Sequence, residues 1–217
     1  MKIYLYFFAL VLSSFLLSSC KNTTDSSSGT PASATKQDLF PLSVGNHWTY
    51  HTKGYDLNTI DTTYTILIAN EETYQGHDAF AYTASNYWND GIYYRSNSDI
   101  YNVVSTTSTF LLRYPMSVGA SIVVLDTVYS NGQFNKLTFI LKDSNEAVLV
   151  PAGTFICYHY DQVQVDGTPS MIDTNTKSFF YSPGVGLVQQ KNYQKSYSMK
   201  TTNLEQAYEL VNYQVSK

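Results

Sequence analysis

The sequence predicts an all-β fold, laid out as a single antiparallel meander. Three observations carry this. Apolar and polar residues alternate with a period of two through most of the chain. The strand-favouring residues Tyr and Thr are abundant, Tyr alone occurring 20 times in 217 residues. Turn dipeptides interrupt the alternating runs at short intervals, and no long helical pattern separates them.

Taken in order, Ile60, Thr62, Tyr64, Ile66 and Ile68 fall on one face of a run. Ile122, Val124 and Val128 are expected to share a face, and Leu137, Phe139 and Leu141 alternate with Lys136, Thr138 and Lys142. Phe155, Cys157, Val163 and Val165 share another face, with His159 and Asp161 between them. Val185, Leu187 and Tyr193 continue the pattern. Turns are expected at Gln75-Gly76, Asn89-Asp90-Gly91, Asn131-Gly132, Asp166-Gly167 and Ser182-Pro183-Gly184. Asn131-Gly132 is the sharpest, because a type I′ hairpin needs positive φ at both central residues. Leu204, Tyr208 and Val211 have helical spacing, but the β-prone stretch Val211–Val215 favours a strand there.

The N-terminus reads as an address. Lys2 is followed by an apolar run from Ile3 to Leu12 that resumes at Phe15–Leu17, then by Ser18, Ser19 and Cys20. This is a secretory signal, too short and too broken by Ser for a span of about 20 apolar residues. Residues 21–37 hold no aromatic and no large aliphatic side chain, so nothing there offsets the entropy of ordering, and they read as a tether. Residues 1–19 are therefore expected to be a signal peptide, 20–37 a modified Cys20 with its tether, and 38–217 one β-sheet domain.

The tetrad Leu17-Ser18-Ser19-Cys20 resembles a bacterial lipoprotein signal. That resemblance implies lipidation at Cys20 with three acyl chains, enough for stable membrane anchoring when each buried methylene contributes about 0.8 kcal/mol. Lys21 is not the acidic residue associated with inner-membrane retention, so the outer membrane is the expected destination. With Cys20 modified, Cys157 has no intramolecular disulfide partner. A net charge of -4 with only 14% charged residues argues against a nucleic-acid partner, because phosphate contacts need clustered cations.

Two segments carry a second resemblance. One is Phe40-Pro41-Leu42-Ser43-Val44-Gly45-Asn46-His47-Trp48-Thr49-Tyr50. The other begins Val150-Pro151-Ala152-Gly153-Thr154-Phe155-Ile156-Cys157 and is answered by Tyr181-Ser182-Pro183-Gly184-Val185-Gly186-Leu187-Val188. Together they resemble secreted proteins and lipoproteins common in Bacteroidota that have no assigned activity. That group is similar to open, strongly curved sheets of the lipoprotein-carrier, β-clam type, which implies a half-barrel or open barrel here. Read from the residues, both segments are scaffold: Trp48 plugs the end of the sheet, Pro151 and Gly153 turn the chain into a strand, and Gly186 marks a bulge or a close backbone approach.

Reactive constellations are sparse. His47 and His51 lie on one face of a strand about 13 Å apart, too far to share a zinc ion. There is no His-Glu-x-x-His, no Gly-x-Ser-x-Gly, and Gly184-Val185-Gly186 lacks the rest of a dinucleotide loop. No metal and no cofactor is expected. Glu71 and Glu72 point to opposite faces, and Asp61 and Asp126 have no partner discernible from sequence. Cys157, His159 and Asp161 are ordered like nucleophile, base and orienter on one strand face. Residues two apart on a strand are separated by about 7 Å, however, whereas a working pair needs about 3 Å. No catalytic residue is assigned. Adjacent aromatics such as Tyr87-Trp88 and Tyr93-Tyr94 put one ring on each side of a sheet, one of them free for a ligand. Trp88, Tyr94, His159 and Asp161 are the expected ligand-facing residues. The sequence thus predicts a non-catalytic cell-envelope lipoprotein whose concave sheet binds an apolar or amphipathic ligand such as a lipid or lipopeptide. The first alternative is a surface module that binds a glycan or an envelope protein through Tyr and Trp; a further one, ranked below it, is a hydrolase whose reactive set is assembled from distant residues.

Overall fold

The computed structural model describes residues 38–55, 61–85, 90–168, 170–195 and 202–216. The signal peptide, Cys20, the tether and Trp88 lie outside the described residues. Twelve strands form one antiparallel sheet: β1 (His47–Gly54), β2 (Thr62–Tyr74), β3 (His77–Ala84), β4 (Gly91–Ser96), β5 (Asp99–Val104), β6 (Thr107–Arg113), β7 (Ser121–Val128), β8 (Phe134–Val150), β9 (Gly153–Thr168), β10 (Met171–Ser182), β11 (Gly186–Lys195) and β12 (Thr202–Gln214). No helix occurs among the described residues. The Leu204–Val211 stretch is strand, part of β12, as the β-prone residues that follow from Val211 favoured over its helical spacing.

The strand order is β6-β5-β4-β3-β2-β1-β12-β11-β10-β9-β8-β7. The first and last strands therefore pair in the middle, and the consecutive strands β6 and β7 are the two edges. Contacts between the far ends of this order show how the sheet curls. Phe110 of β6 meets Phe139 of β8 at 4.8 Å between ring centroids, and the Tyr160 hydroxyl of β9 donates to the Arg113 carbonyl of β6 at 3.0 Å. The result is a nearly closed barrel with one unsealed seam between β6 and β7.

The inside is ring-packed. Tyr50 stacks on Tyr64, which meets Tyr208 edge-on. Tyr82 stacks on Tyr93 at 4.4 Å, and Phe139, Phe179 and Tyr181 continue the cluster. Burial, together with neighbouring tyrosines, raises the pKa of Tyr50 and Tyr93 well above the ordinary phenol value, as expected of hydroxyls walled off from water. Such rings bury large areas and add about 0.5–1.5 kcal/mol per well-placed pair.

The base of the barrel explains the two sequence motifs. Phe40 stacks on Trp48 and meets Tyr93 and Tyr181 edge-on. The Trp48 indole N–H donates to the Val185 carbonyl at 2.5 Å, and the Tyr50 hydroxyl donates to the Leu187 carbonyl at 2.9 Å. Gly186 has φ of 101°, and a Cβ there would stand 3.2 Å from Trp48 Nε1. The close approach inferred from Gly186 is therefore made by an indole ring rather than by another backbone. Asn46 is buried and makes three hydrogen bonds: its Nδ2 donates to the Pro41 carbonyl, and its Oδ1 accepts from the Ser216 N–H and hydroxyl. Trp48 thus closes the end of the sheet, and Asn46 joins the two ends of the domain.

The turn expected at Gln75-Gly76 is present, and local details differ from the sequence expectations in three other places. The turn with positive φ at both central residues is Gln75-Gly76, between the paired Tyr74 and His77. At Asn131-Gly132 only Gly132 has positive φ, because the Asn131 side chain accepts from the Gln133 N–H and supports a wider loop. The turn expected at Asp166-Gly167 falls beyond Thr168; both residues lie in β9, where Gly167 leaves room for the Met171 carbonyl. A bulge between Val123 and Leu125 splits the expected face of β7, so that Ile122 pairs with Phe139 and Val128 with Phe134.

Two substitutions test the base. Asn46→Ala removes the hydrogen bonds to the Pro41 carbonyl and to the Ser216 N–H and hydroxyl, and Gly186→Ala forces a strained φ against the indole. Each is expected to lower stability by about 1–3 kcal/mol. Urea unfolding of both variants measures it, and unchanged midpoints would contradict the assignment.

Candidate functional site

Cys157, His159 and Asp161 share a face of β9, opposite Tyr158 and Tyr160. Because Tyr160 belongs to the ring-packed core, His159 and Asp161 stand on the outer face of the barrel. His159 stacks on Phe180 of β10 at 4.4 Å. Its Nδ1 lies 2.7 Å from Glu146 Oε2 and its Nε2 lies 3.0 Å from Asp161 Oδ1. Ser178, directly opposite Asp161, donates its hydroxyl to the same carboxylate oxygen at 2.7 Å. Lys191 of β11 sits over Phe180, 5.2 Å from the ring centre. Sequence reading placed two of these residues together but missed Glu146 and Ser178, which arrive from other strands through bulges and register.

Electrostatics follow from this geometry. Burial alone would lower the His159 pKa, but the hydrogen bonds and charges of Asp161 and Glu146 outweigh it, and the net direction is up. Burial alone would raise Asp161; the bonds from His159 and Ser178, with the charges of His159 and Lys142, turn it down. The two carboxylates thus stabilise the imidazolium form relative to an isolated histidine.

This arrangement does not perform nucleophilic catalysis. A general base needs an open nitrogen facing its nucleophile, and both ring nitrogens of His159 are held by carboxylates. Ser178 bonds to the carboxylate rather than to the imidazole. Cys157 is fully buried, and burial followed by the Glu146 charge pushes its thiol to about 12, so no thiolate forms near neutral pH. The other candidates are also paired: His51 Nε2 meets Asp61 at 2.7 Å, and Asp126 meets Lys136 at 3.6 Å. Among the described residues no group of three or more His, Cys, Asp or Glu side chains could hold a metal ion.

Tyr94 also faces outward, on the side opposite Tyr93. It stacks on Tyr101 at 4.9 Å and on His77 at 5.5 Å, with Tyr74 beside it. This column covers Ala79 and Val103, and Tyr94 itself is only 8% exposed. A ligand would meet ring edges here, not an open platform.

The concave face changes character along the barrel. Above the ring-packed base, the positions on β9 to β12 that continue the Phe179 face are amides. Gln190 pairs with Phe179 and Tyr208, Asn192 with Lys177 and Gln206, and Gln164 with Asn175. Gln190 Nε2 donates to Asn192 Oδ1 at 2.8 Å, Asn192 Nδ2 to Gln206 Oε1 at 3.3 Å, and the Tyr208 hydroxyl to Gln206 Oε1 at 2.6 Å. These amides are half-buried, and Lys177 among them is exposed, so the inner face opens to solvent at this height.

No family model matches the chain, and no curated protein matches it. Among solved structures, its fold is similar to that of a candidate exported protein from Bacteroides fragilis NCTC 9343 described as having a YmcC-like fold. The match has 14% identity, covers 82% of this chain and 99% of that one, and has a TM-score of 0.54. A candidate lipoprotein from Parabacteroides distasonis ATCC 8503 is similar at 18% identity, with 82% and 99% of the two chains covered and a TM-score of 0.50. At these identities the likeness is one of fold.

Replacing His159 by Gln tests the imidazolium clamp. A raised folded pKa means that His159 contributes stability fully below its unfolded value near 6.5, and that the contribution fades as pH rises through the folded value. The gap in melting temperature between the native protein and His159→Gln is therefore expected to be widest below the unfolded value, at pH 5–6, and to narrow as pH rises beyond it. A gap that grows with pH would contradict the clamp. Separately, Cys157 is expected to resist iodoacetamide at pH 8 until denaturant is added; rapid labelling of the folded protein would overturn its inert assignment.

Proposed function

We propose that this protein is a non-catalytic lipoprotein of the cell envelope, moored to the outer membrane through acyl chains on Cys20, which binds a ligand at the solvent-open mouth of its barrel. The observation that carries the reading is the two-part inner face. Its base is filled by buried rings and its upper strands carry half-buried polar groups. The fold neighbours include a candidate exported protein and a candidate lipoprotein, which supports an envelope address. The signal-like first 19 residues and the polar stretch 21–37 support a tethered domain.

The inner face was expected from sequence to take a lipid or lipopeptide. An acyl chain has little room in the ring-packed base, so an amphipathic ligand would have to enter from the mouth with its polar part among the amides. A second reading, a module that docks an envelope protein or glycan on the outside, would have only the ring edges of the column Tyr74, His77, Tyr94 and Tyr101 to use.

The anchoring is tested by expressing the full chain and Cys20→Ser in a Bacteroides host with labelled palmitate. The native chain should carry label and fractionate with the outer membrane, and the variant should be unlabelled and soluble. Label retained on Cys20→Ser would sink the lipoprotein reading.

A further inference from the structure

We infer that the mouth of the barrel is a saccharide site, in which the amide ladder Gln190–Asn192–Gln206 with Tyr208 and Thr52 binds an uncharged oligosaccharide. This rests on the reading that the mouth takes a ligand, and it names the ligand's chemistry.

Four observations converge. First, the ladder is pre-oriented: Tyr208 and Asn192 both bond to Gln206, and Asn192 also accepts from Gln190. A primary amide has two donors and two lone pairs, and these bonds occupy no more than half of those on Gln190 and Gln206. Such a ladder offers donors and acceptors in alternation, which matches sugar hydroxyls because each of them both gives and accepts. Second, Thr52 stands directly opposite Tyr208 on β1 and is 3% exposed, yet its hydroxyl has no hydrogen-bond partner in the structure. An unpaired buried hydroxyl costs about 1–3 kcal/mol, and a ligand hydroxyl at the ladder would relieve that cost. Third, Tyr208 packs edge-on against Tyr64, which fixes its ring and so the direction in which its hydroxyl is presented at the ladder. Fourth, the charge is low. Among the described residues Lys177 is the cation within the strip, flanked by Gln162 and Asn192, and Asp166 and Asp173 pair with each other nearer the strand ends. Neutral donors outnumber charged ones, so an uncharged saccharide fits better than an acidic one. From β9 to β12 the strip spans three strand spacings, about 14 Å, enough for a short oligosaccharide.

The test uses the full chain purified from its own envelope. It is probed on a printed array of neutral hexasaccharides (glucan, mannan, xylan, galactan) beside their uronate-containing counterparts, with calorimetry on any hit. The inference expects binding to a neutral glycan that changes less than twofold between 50 and 500 mM salt. It further expects affinity to drop at least tenfold in Asn192→Ala and in Gln206→Ala and to be unchanged in Tyr94→Ala. Thermal melts show whether the ladder variants are folded, and Gln190→Ala serves if either is not. Binding confined to uronate glycans and abolished by salt would overturn the neutral-saccharide assignment, as would neutral binding lost in Tyr94→Ala but not in the ladder variants. Native mass spectrometry of the same preparation separates the two levels of the argument. A lipid adduct in place of a sugar one overturns the saccharide inference and leaves a ligand-binding mouth standing. An apo mass together with a blank array overturns both.

Discussion

The structure depends on how the two ends of the chain are locked at the base of the barrel. A twelve-stranded meander whose first and last strands pair in the middle has no sequence-local hairpin to hold that central seam. Its register comes from long-range contacts: the Trp48 indole on the Val185 carbonyl, Tyr50 on the Leu187 carbonyl, and Asn46 on both Pro41 and Ser216. Without them β1 and β12 could slip, and a slip of one residue would turn the core side chains of the slipped strand to solvent. Filling the base with rings then fixes the curvature, because Phe110 and Phe139 pack from strands near opposite edges of the sheet.

That curvature decides what each face can do. On the outside, the curl and the bulges of β8 bring Glu146 to His159, where two carboxylates hold one imidazole. The imidazole is chemically quiet because both of its ring nitrogens are engaged by carboxylates. The inside, above the ring floor, shows the opposite condition. Its amides are ordered by one another but not exhausted, and Thr52 remains unpaired.

Much of this was legible in the sequence, and what was not has identifiable causes. Period-two alternation revealed the all-β meander, since a half-buried strand requires it. The Phe40–Tyr50 and Ser182–Val188 motifs were legible as scaffold, and they prove to be two halves of one lock. The faces of β7 were misread because a single extra residue, Val124, inverts the pattern after it. Asn131-Gly132 was misread because an Asn side chain can cap a wider loop instead of adopting positive φ. Glu146 and Ser178 were invisible as neighbours of His159, because nothing in a linear pattern records which bulge brings which strand alongside. The amide ladder was overlooked for a related reason. Gln162, Gln164, Gln190, Asn192 and Gln206 read one at a time as solvent-facing strand residues, and only the register shows that they share the inner face.

The base lock is open to one direct measurement. The chain has two tryptophans, so a nitrogen-15 spectrum holds two indole N–H signals, and Trp48→Phe identifies the one from Trp48. If the lock holds the barrel together, that signal exchanges with deuterium as slowly as the most protected backbone amides and vanishes only with global unfolding. Exchange within minutes in the folded protein, while the backbone amides of β1 and β12 stay protected, would contradict the account.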